Sequence, residues 1–259
     1  MSLKGAARFP ARTVGFVGLT MSYLVAMETE RGLASVDRKD VVLYDWMERY
    51  GRWLLKLYGV KAIARGPHVE SGRYPGTDAR GVGRIFVMNH RSLLDVFLTL
   101  AFVEATIVSR ADLADWPVIG LAARRVKTLF VDRADKKSGA AVVQAMVGGL
   151  TSGRAVMVYA EGTTYEGDEV RPFRPGAFVA AERAGAEIVP VGLAYAGTDV
   201  AFLDETFPEH LKRVASLPEI RAALVFGEPI PAPITTPDDA RAEAHARVQA
   251  LVHEARKLL

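Results

Sequence analysis

Short apolar runs rich in β-branched residues alternate with helix-like patterns along most of the chain, and this alternation restricts the possible folds more than any other feature. Strands are predicted over residues 84–88, 106–109, 128–131, 155–159, 188–194 and 222–226, and helices over residues 93–102, 138–150, 176–184 and from Pro237 onwards. Helices that connect parallel strands produce this order. The predicted fold class is therefore α/β, with a mainly parallel sheet flanked by helices.

The N-terminal part of the chain carries two helical patterns of a different kind. Residues 13–27 hold no charged side chain, but a helix that spans a bilayer needs about 20 apolar residues. We therefore expect a helix that lies in one leaflet, with a signal peptide as the alternative. Residues 43–58 are amphipathic and include Trp46 and Trp53, a pattern that suits a membrane interface or an ordinary core-facing helix.

A stretch rich in Gly, Pro and charged residues, 66–83, follows these two patterns and resembles a connecting loop. It suggests a division into two parts. We predict an N-terminal two-helix membrane-anchoring motif over residues 1–65 and an α/β domain over residues 66–259. A protein of this kind is expected to be monotopic or peripheral, with the membrane surface as a partner at the cytoplasmic face of the cell membrane.

Composition excludes several classes of function. The 259 residues are 50% apolar and include no cysteine, so a sizeable core is expected while disulfides, thiolate metal sites and cysteine nucleophiles are excluded. His68, His210, His245 and His253 are scattered and are expected to be exposed, so no metal site is predicted. The net charge of +3 permits anionic partners, but no nucleic acid is predicted among them.

Residues 89–95 read Asn-His-Arg-Ser-Leu-Leu-Asp and lie between a predicted strand and a predicted helix. His90 and Asp95 can meet only if His90 precedes the first helical turn and Asp95 points back towards it. A carboxylate that holds one imidazole nitrogen leaves the other as a base near neutral pH. A helix-capping surface pair is the alternative for these two residues taken alone.

Three further segments could bind an anionic or polar ligand. Residues 160–164, Ala-Glu-Gly-Thr-Thr, follow an apolar strand and suit a tight turn, Arg133 ends another strand, and Arg171 and Arg174 precede a helix. Guanidinium groups bind phosphate in a bidentate manner. For residues 160–164 the alternative is an ordinary turn. For Arg133 the alternative is a solvated ion pair with Asp132.

The order and spacing of these segments resemble the glycerolipid acyltransferase family, best known for lysophosphatidic acid acyltransferases, across residues 81 to 230. The resemblance implies that His90 and Asp95 are the catalytic residues. It also implies a set of substrate-binding residues: Asn89, Ser92, Arg133, Glu161, Gly162, Thr163, Thr164 and Arg174. The family acylates a lysolipid without a cofactor, using acyl-CoA or acyl carrier protein as co-substrate.

Two residues depart from the family pattern. Ala160 replaces a proline, and Thr164 replaces an arginine that the family implies for the acceptor phosphate. Either Lys127, Arg133, Arg171 and Arg174 compensate for that charge, or the acceptor is not a bare phosphate monoester. Lysophosphatidic acid is the expected acceptor, with a lysophospholipid of larger headgroup or a lyso-aminolipid as the alternative.

Other functions fit the sequence less well. A serine hydrolase using Ser92 would lack a Gly-x-Ser-x-Gly elbow. A nucleotide-binding protein would require a glycine loop after a strand, whereas Gly81 and Gly83 precede one. A non-catalytic membrane-binding protein on the same scaffold is the non-enzyme alternative, and it would bind liposomes without releasing thiol from a thioester.

Overall fold

The computed structural model describes residues 3–69, 72–132 and 134–259. Its helices are α1 (Leu3–Leu33), α2 (Lys39–Tyr58), α3 (Leu94–Phe102), α4 (Ile119–Arg125), α5 (Lys136–Thr151), α6 (Gly176–Ala184), α7 (Phe207–Ser216) and α8 (Pro237–Lys257), with short 3-10 helices at Val36–Arg38 and Ala111–Asp115. Its strands are β1 (Val60–Arg65), β2 (Ile85–Met88), β3 (Thr106–Arg110), β4 (Leu129–Val131), β5 (Val156–Tyr159), β6 (Ile188–Tyr195) and β7 (Ile220–Phe226).

These strands form one seven-stranded sheet in the order β1-β7-β6-β2-β5-β3-β4. Strands β6, β2, β5, β3 and β4 are parallel to one another, whereas β7 runs antiparallel to β6 and pairs in parallel with β1. The predicted α/β fold with a mainly parallel sheet is therefore confirmed. Because β2 lies between β5 and β6, the segments that follow these strands meet at one edge of the sheet, where open α/β sheets place their ligand sites.

Helices cover both faces of the sheet, and each face has its own apolar core. Phe86 and Met88 of β2 point into the core formed with α1, α2, α3 and α7. Ile85 and Val87 of the same strand point into the core formed with α5, α6 and α8. All four side chains are fully buried, which explains why β2 is a continuous apolar run instead of an alternating one.

The N-terminal helices are packed into the domain instead of standing apart from it. Helix α2 lies against α3 so closely that a Cβ on Gly51 would come within 2.5 Å of the backbone nitrogen of Ala101. Strand β1 precedes residue 66 and yet belongs to the common sheet. The structure thus differs from the predicted division at residue 65, because α2 and β1 bury their apolar residues in the α/β core.

The two predicted N-terminal helices are present, although α1 is longer than the uncharged stretch that predicted it. None of the described helices combines the length and apolar character needed to span a bilayer. Helix α1 nevertheless leaves Val14, Val17, Met21 and Val25 exposed. Their spacing of three or four residues puts them on one side of the helix.

Candidate active site

The segment that follows β2 forms the centre of the site. Strand β2 stops at Met88, opposite Val191, while β6 continues to Tyr195. The side chain of Asn89 occupies the gap beside β6: it donates to the carbonyl of Leu193 and accepts from its backbone nitrogen, each at 2.9 Å. The amide of Asn89 is thus used to hold the turn after β2 against β6.

His90 and Asp95 meet as the sequence predicts. The Nδ1 of His90 lies 2.6 Å from Oδ2 of Asp95, which is in the first turn of α3 and is fully buried. The same oxygen accepts from the backbone nitrogens of Arg91 at 2.6 Å and Ser92 at 3.0 Å. These bonds turn the carboxylate back towards His90, so the geometry required by the five-residue separation is realised.

The other oxygen of Asp95 is held by a residue from another strand. The hydroxyl of Tyr195, at the end of β6, donates to Oδ1 of Asp95 at 2.7 Å. Burial raises the pKa of Tyr195, and the negative charge of Asp95 raises it further, so the hydroxyl keeps its proton and remains a donor. Both oxygens of this buried carboxylate therefore have hydrogen-bond donors.

The ring of His90 stacks on an aromatic side chain from the neighbouring strand β5. Tyr159, the last residue of β5, stacks on it with ring centroids 4.2 Å apart and planes inclined by 15°. The side chain of His90 is 16% exposed, and within the described part of the chain only its Nδ1 is hydrogen-bonded. The second nitrogen, Nε2, is consequently available to a ligand as a base.

A buried ion pair joins the turns after β2 and β5. The guanidinium of Arg91 donates to both oxygens of Glu161, at 2.8 and 3.2 Å. The same carboxylate accepts from the backbone nitrogens of His90 and Arg171, each at 2.8 Å. Both members of the pair are buried, so the side chain of Glu161, predicted to bind substrate, is occupied by protein donors.

Gly162 and Arg174 are brought together directly. Gly162 has a φ of 79°, and a Cβ at this position would overlap the side chain of Arg174. Arg174 itself is exposed, as is Arg171, which lies over the ring of Tyr165 at 5.4 Å. The absence of a side chain at residue 162 is what lets the Arg174 guanidinium lie across the turn after β5.

The two threonines that follow differ in their surroundings. Thr163 is exposed. The hydroxyl of Thr164 donates to the carbonyl of Phe202 at 2.7 Å, and the backbone nitrogen of Phe202 donates to the carbonyl of Arg91 at 2.7 Å. Thr164 thus binds the segment after β6 to the site. Arg133, the other predicted acceptor-binding residue, lies outside the described residues.

Three contacts of the site involve residues that the sequence analysis did not select. Tyr195 and Tyr159 have no local motif, and only the predicted strand ends could have indicated them. The expectation that His210 is exposed is wrong: it is fully buried and its Nε2 lies 3.1 Å from the hydroxyl of Ser92. Ser92, predicted to bind substrate, is itself fully buried.

An apolar cavity of about 170 Å³ lies on the α1–α2 side of the sheet. Its lining comes from several helices and includes Phe16, Met47, Leu93, Phe97, Val126 and Leu211. Leu93 belongs to the same turn as His90, so the cavity begins beside the segment that holds His90. Among the described residues no group of His, Asp and Glu side chains has the arrangement of a metal site.

A histidine whose Nδ1 is fixed by a buried aspartate and whose Nε2 is left open, at the end of a central parallel strand, can remove a proton from a hydroxyl nucleophile. An apolar cavity beside such a histidine is an arrangement that acyl transfer can use. Residues 74–194 match the model of the acyltransferase family. This part of the chain is an acyltransferase domain, and the resemblance predicted from the sequence is confirmed.

Curated relatives agree with this assignment. The chain is 29% identical to a lyso-ornithine lipid O-acyltransferase of Brucella abortus over 68% of this chain and 73% of that protein. It is 32% identical to a lyso-ornithine lipid O-acyltransferase of Rhodobacter capsulatus over 60% of each chain. It is 27% identical to a 1-acyl-sn-glycerol-3-phosphate acyltransferase of Neisseria gonorrhoeae over 61% of this chain and 64% of that one.

A solved structure shares the fold. The 1-acyl-sn-glycerophosphate acyltransferase of Thermotoga maritima superimposes with a TM-score of 0.70 over 94% of this chain and 97% of that one, at 17% identity. At this identity the match supports the architecture alone.

Proposed function

We propose that this enzyme transfers a fatty acyl group from an acyl thioester to a free hydroxyl of a lysolipid, with His90 as the general base. The observation that carries the proposal is the His90–Asp95 pair, in which only Nδ1 is engaged. The acceptor hydroxyl would approach Nε2. The names of the relatives, which act on lyso-ornithine lipid or on 1-acyl-sn-glycerol-3-phosphate, support a lysolipid as the acceptor.

In the proposed reaction Nε2 of His90 takes the proton of the acceptor hydroxyl while the hydroxyl oxygen attacks the thioester carbonyl. An ester bond forms, the carbon–sulfur bond breaks, and the proton passes from the imidazolium to the departing thiolate. Asp95 stabilises the imidazolium through Nδ1. The acyl group moves directly to the acceptor, so no acyl-enzyme intermediate and no cofactor is required.

We assign the remaining predicted residues two different roles within this proposal. Asn89 and Glu161 use their side chains on protein atoms, so we interpret them as residues that hold the two turns in place. Thr163 and Arg174 are exposed at the site and are the better candidates for direct contact with substrate. Because Arg174 lies against Gly162, its guanidinium would meet an anionic group near the turn after β5.

The apolar cavity supports the acyl part of the proposal. An apolar cavity of about 150 Å³ accommodates a benzene molecule, so the roughly 170 Å³ found here is of a size to hold several methylene groups of an acyl chain. Leu93 lines the cavity and belongs to the catalytic turn. We therefore propose that the acyl chain of one substrate enters this cavity while its carbonyl end stays near His90.

Two acceptors deserve direct comparison. The exposed guanidinium groups of Arg171 and Arg174 favour the phosphate of lysophosphatidic acid. Thr164 favours a lyso-aminolipid such as lyso-ornithine lipid, because it supplies no charge where the family has arginine and its hydroxyl is bound to Phe202. Several relatives named as lyso-ornithine lipid acyltransferases support the second candidate.

Membrane attachment belongs to the same proposal. The exposed apolar side of α1 includes Val14 at 73% and Val25 at 65% exposure, and Trp53 is exposed with the ammonium of Lys56 4.9 Å from its ring. Apolar side chains flanked by cations and tryptophan suit a lipid headgroup boundary. We propose monotopic or peripheral attachment at the cytoplasmic face, where acyl-CoA and acyl carrier protein are available.

The proposal is tested with the purified protein, each acyl donor in turn, and a panel of lysolipids that includes lysophosphatidic acid and lyso-ornithine lipid. Products are identified by mass spectrometry, and released thiol is measured in parallel. The proposal predicts stoichiometric thiol release and a diacylated product with at least one acceptor. Liposome binding without either product would instead support the non-catalytic alternative.

A further inference from the structure

His210 is a buried histidine that the proposed mechanism does not use. It lies on α7, is fully buried, and its ring stacks on that of Phe202 with centroids 4.4 Å apart. Buried imidazoles require hydrogen-bond partners for their nitrogen atoms. Both nitrogens of His210 have partners, and the partners of Nε2 connect α7 to the turn that holds His90.

The Nε2 of His210 faces the beginning of α3. It lies 3.1 Å from the hydroxyl oxygen of Ser92 and 3.4 Å from the backbone nitrogen of Leu93. The hydroxyl oxygen of Ser92 in turn accepts from the backbone nitrogen of Leu94 at 3.3 Å. Backbone N–H groups at a helix start have no acceptor within the helix, and here Ser92 and His210 provide acceptors for two of them.

The Nδ1 of His210 faces an acid. Oε1 of Glu205 lies 2.9 Å away, and the same carboxylate is held by Arg213, whose Nη2 lies 3.1 Å from Nδ1. A carboxylate can only accept and a backbone N–H can only donate. Glu205 therefore requires a proton on Nδ1 and Leu93 requires a lone pair on Nε2, and both requirements select one neutral tautomer. The Nη2 of Arg213 is also a donor, but it donates to Oε1 of Glu205 and is a neighbour of Nδ1, not its hydrogen-bond partner.

We infer that His210 is a positioning residue for acyl transfer, acting through Ser92 on Asp95. Ser92 is held by its hydroxyl to His210 and donates its own backbone N–H to Oδ2 of Asp95 at 3.0 Å. Loss of the His210 acceptor would free the start of α3 and with it the carboxylate that orients His90. The inference rests on the proposed function, because it concerns the base of that reaction.

A serine nucleophile is the competing interpretation of the same contacts. Ser92, His210 and Glu205 are joined in the order of a hydrolase triad. Ser92 is fully buried, however, and its oxygen accepts a backbone hydrogen bond at the helix start. A substrate carbonyl could not reach it without displacing α3, so the contacts serve to hold the turn.

The kinetic test compares two substitutions at one position. His210→Gln can place an amide oxygen near the Nε2 position, whereas His210→Phe keeps an aromatic ring against Phe202 but has no acceptor. A misplacement of about 1 Å can lower a rate by about 10²-fold. We expect kcat to fall by about 10²-fold in His210→Phe, with little change in KM, and to be largely restored in His210→Gln.

A folded His210→Phe protein with the kcat of the wild type would overturn the inference. Equal losses of kcat in His210→Phe and His210→Gln, in proportion to the fall in their melting temperatures, would overturn it as well. Labelling of Ser92 by a fluorophosphonate would also overturn it, in favour of the nucleophile. If wild-type protein acylates no lysolipid, the proposed function fails, and the next measurement still tests the His210 contacts.

That measurement is nitrogen NMR of the wild-type protein labelled with ¹⁵N-histidine, which is practicable because the chain has only 5 histidines. The His210 signals, assigned by their loss in His210→Gln, are expected to show a proton on Nδ1 and none on Nε2. A proton on Nε2 would contradict the capping of α3 by His210, whether or not the variants fold.

Discussion

The hydroxyl of Tyr195 donates a 2.7 Å hydrogen bond to Asp95, a residue 100 positions earlier in the chain. The contact exists because β6 extends past the end of its neighbour β2 and carries Tyr195 to the start of α3. It fixes the oxygen of Asp95 that does not contact His90. The orientation of the His90–Asp95 pair therefore depends on β6 as well as on residues 89–95.

Replacing Tyr195 with phenylalanine tests this dependence. Hydrogen bonds to charged groups contribute about 1.5–3 kcal/mol, so Tyr195→Phe should reduce the free energy of unfolding by an amount of this order and reduce kcat more than it changes KM. Urea unfolding and steady-state kinetics measure the two effects. Unchanged stability and kcat would show that the hydroxyl does not hold Asp95.

Removing one member of the Arg91–Glu161 pair should destabilise the protein strongly. Breaking a buried ion pair costs about 3–5 kcal/mol, because the remaining charge loses its partner. Glu161→Gln is expected to show a loss of this size in urea unfolding, together with reduced activity, since Glu161 also accepts from the backbone of His90.

The matched control is a pair on the surface. Arg110 and Asp112 are each about half exposed, and exposed pairs contribute about 0–1 kcal/mol. Asp112→Asn should therefore change the free energy of unfolding by less than about 1 kcal/mol. Equal losses of unfolding free energy in Glu161→Gln and Asp112→Asn would mean that burial does not make the Arg91–Glu161 pair more stabilising than an exposed pair.

A side chain at residue 162 should displace Arg174. Gly162 and Gly167 have similar φ values, 79° and 82°, but a Cβ at Gly167 meets no atom within 4 Å. Both alanine variants have the same backbone strain at a positive φ. A comparison of Gly162→Ala with Gly167→Ala therefore isolates the effect of the contact with Arg174. We expect a higher KM for an anionic acceptor in Gly162→Ala only; equal KM values would contradict a role for Arg174 in acceptor binding.

The pH dependence of stability should include a contribution from His210. Burial lowers the pKa of His210 from its ordinary value of 6.5, against the opposing effect of Glu205 and, more weakly, Asp95, while Arg213 lowers it further. His210 therefore binds a proton near pH 6.5 in the unfolded chain and only at lower pH in the folded chain. This contribution to stability is complete above that pH and is lost as pH falls towards the folded pKa.

Urea unfolding of the wild type and of His210→Gln at about pH 7.5 and about pH 5.5 measures this contribution. The wild type should lose more stability on acidification than the variant does, by at most about 1.4 kcal/mol per pH unit. Identical losses would show that His210 titrates alike in the folded and unfolded chains.

Much of the fold could be predicted because its elements have local signals. The apolar run of β2 and the helical spacing of α2 and α8 depend on nearby residues, and the predicted strands agree with the observed ones to within two residues. Strand β1 was not predicted, since Val60–Arg65 has only two large apolar residues, Val60 and Ile63, and this segment becomes a strand by pairing with β7. Helix α7 was not predicted either.

The site likewise combines contacts that a local sequence pattern predicts with contacts that arise only from the fold. The meeting of His90 with Asp95 follows from seven consecutive residues and their position after a strand. Tyr195 and His210 contact this segment across 100 and 118 positions, so their contacts depend on how far β6 extends and on where α7 packs. A histidine on an unpredicted helix has no local pattern that distinguishes a buried position from an exposed one.

We propose His90 as the base for acyl transfer. The most direct measurement is thiol release from acyl-CoA with a lysolipid acceptor by purified His90→Ala, with His253→Ala, an exposed histidine of α8, as the control. Because the chain has no cysteine, a thiol reagent reports the released product without a protein background. We expect kcat/KM to fall by at least about 10²–10⁴-fold in His90→Ala and to stay near the wild-type value in His253→Ala. A folded His90→Ala protein with turnover close to that of the wild type would contradict the mechanism.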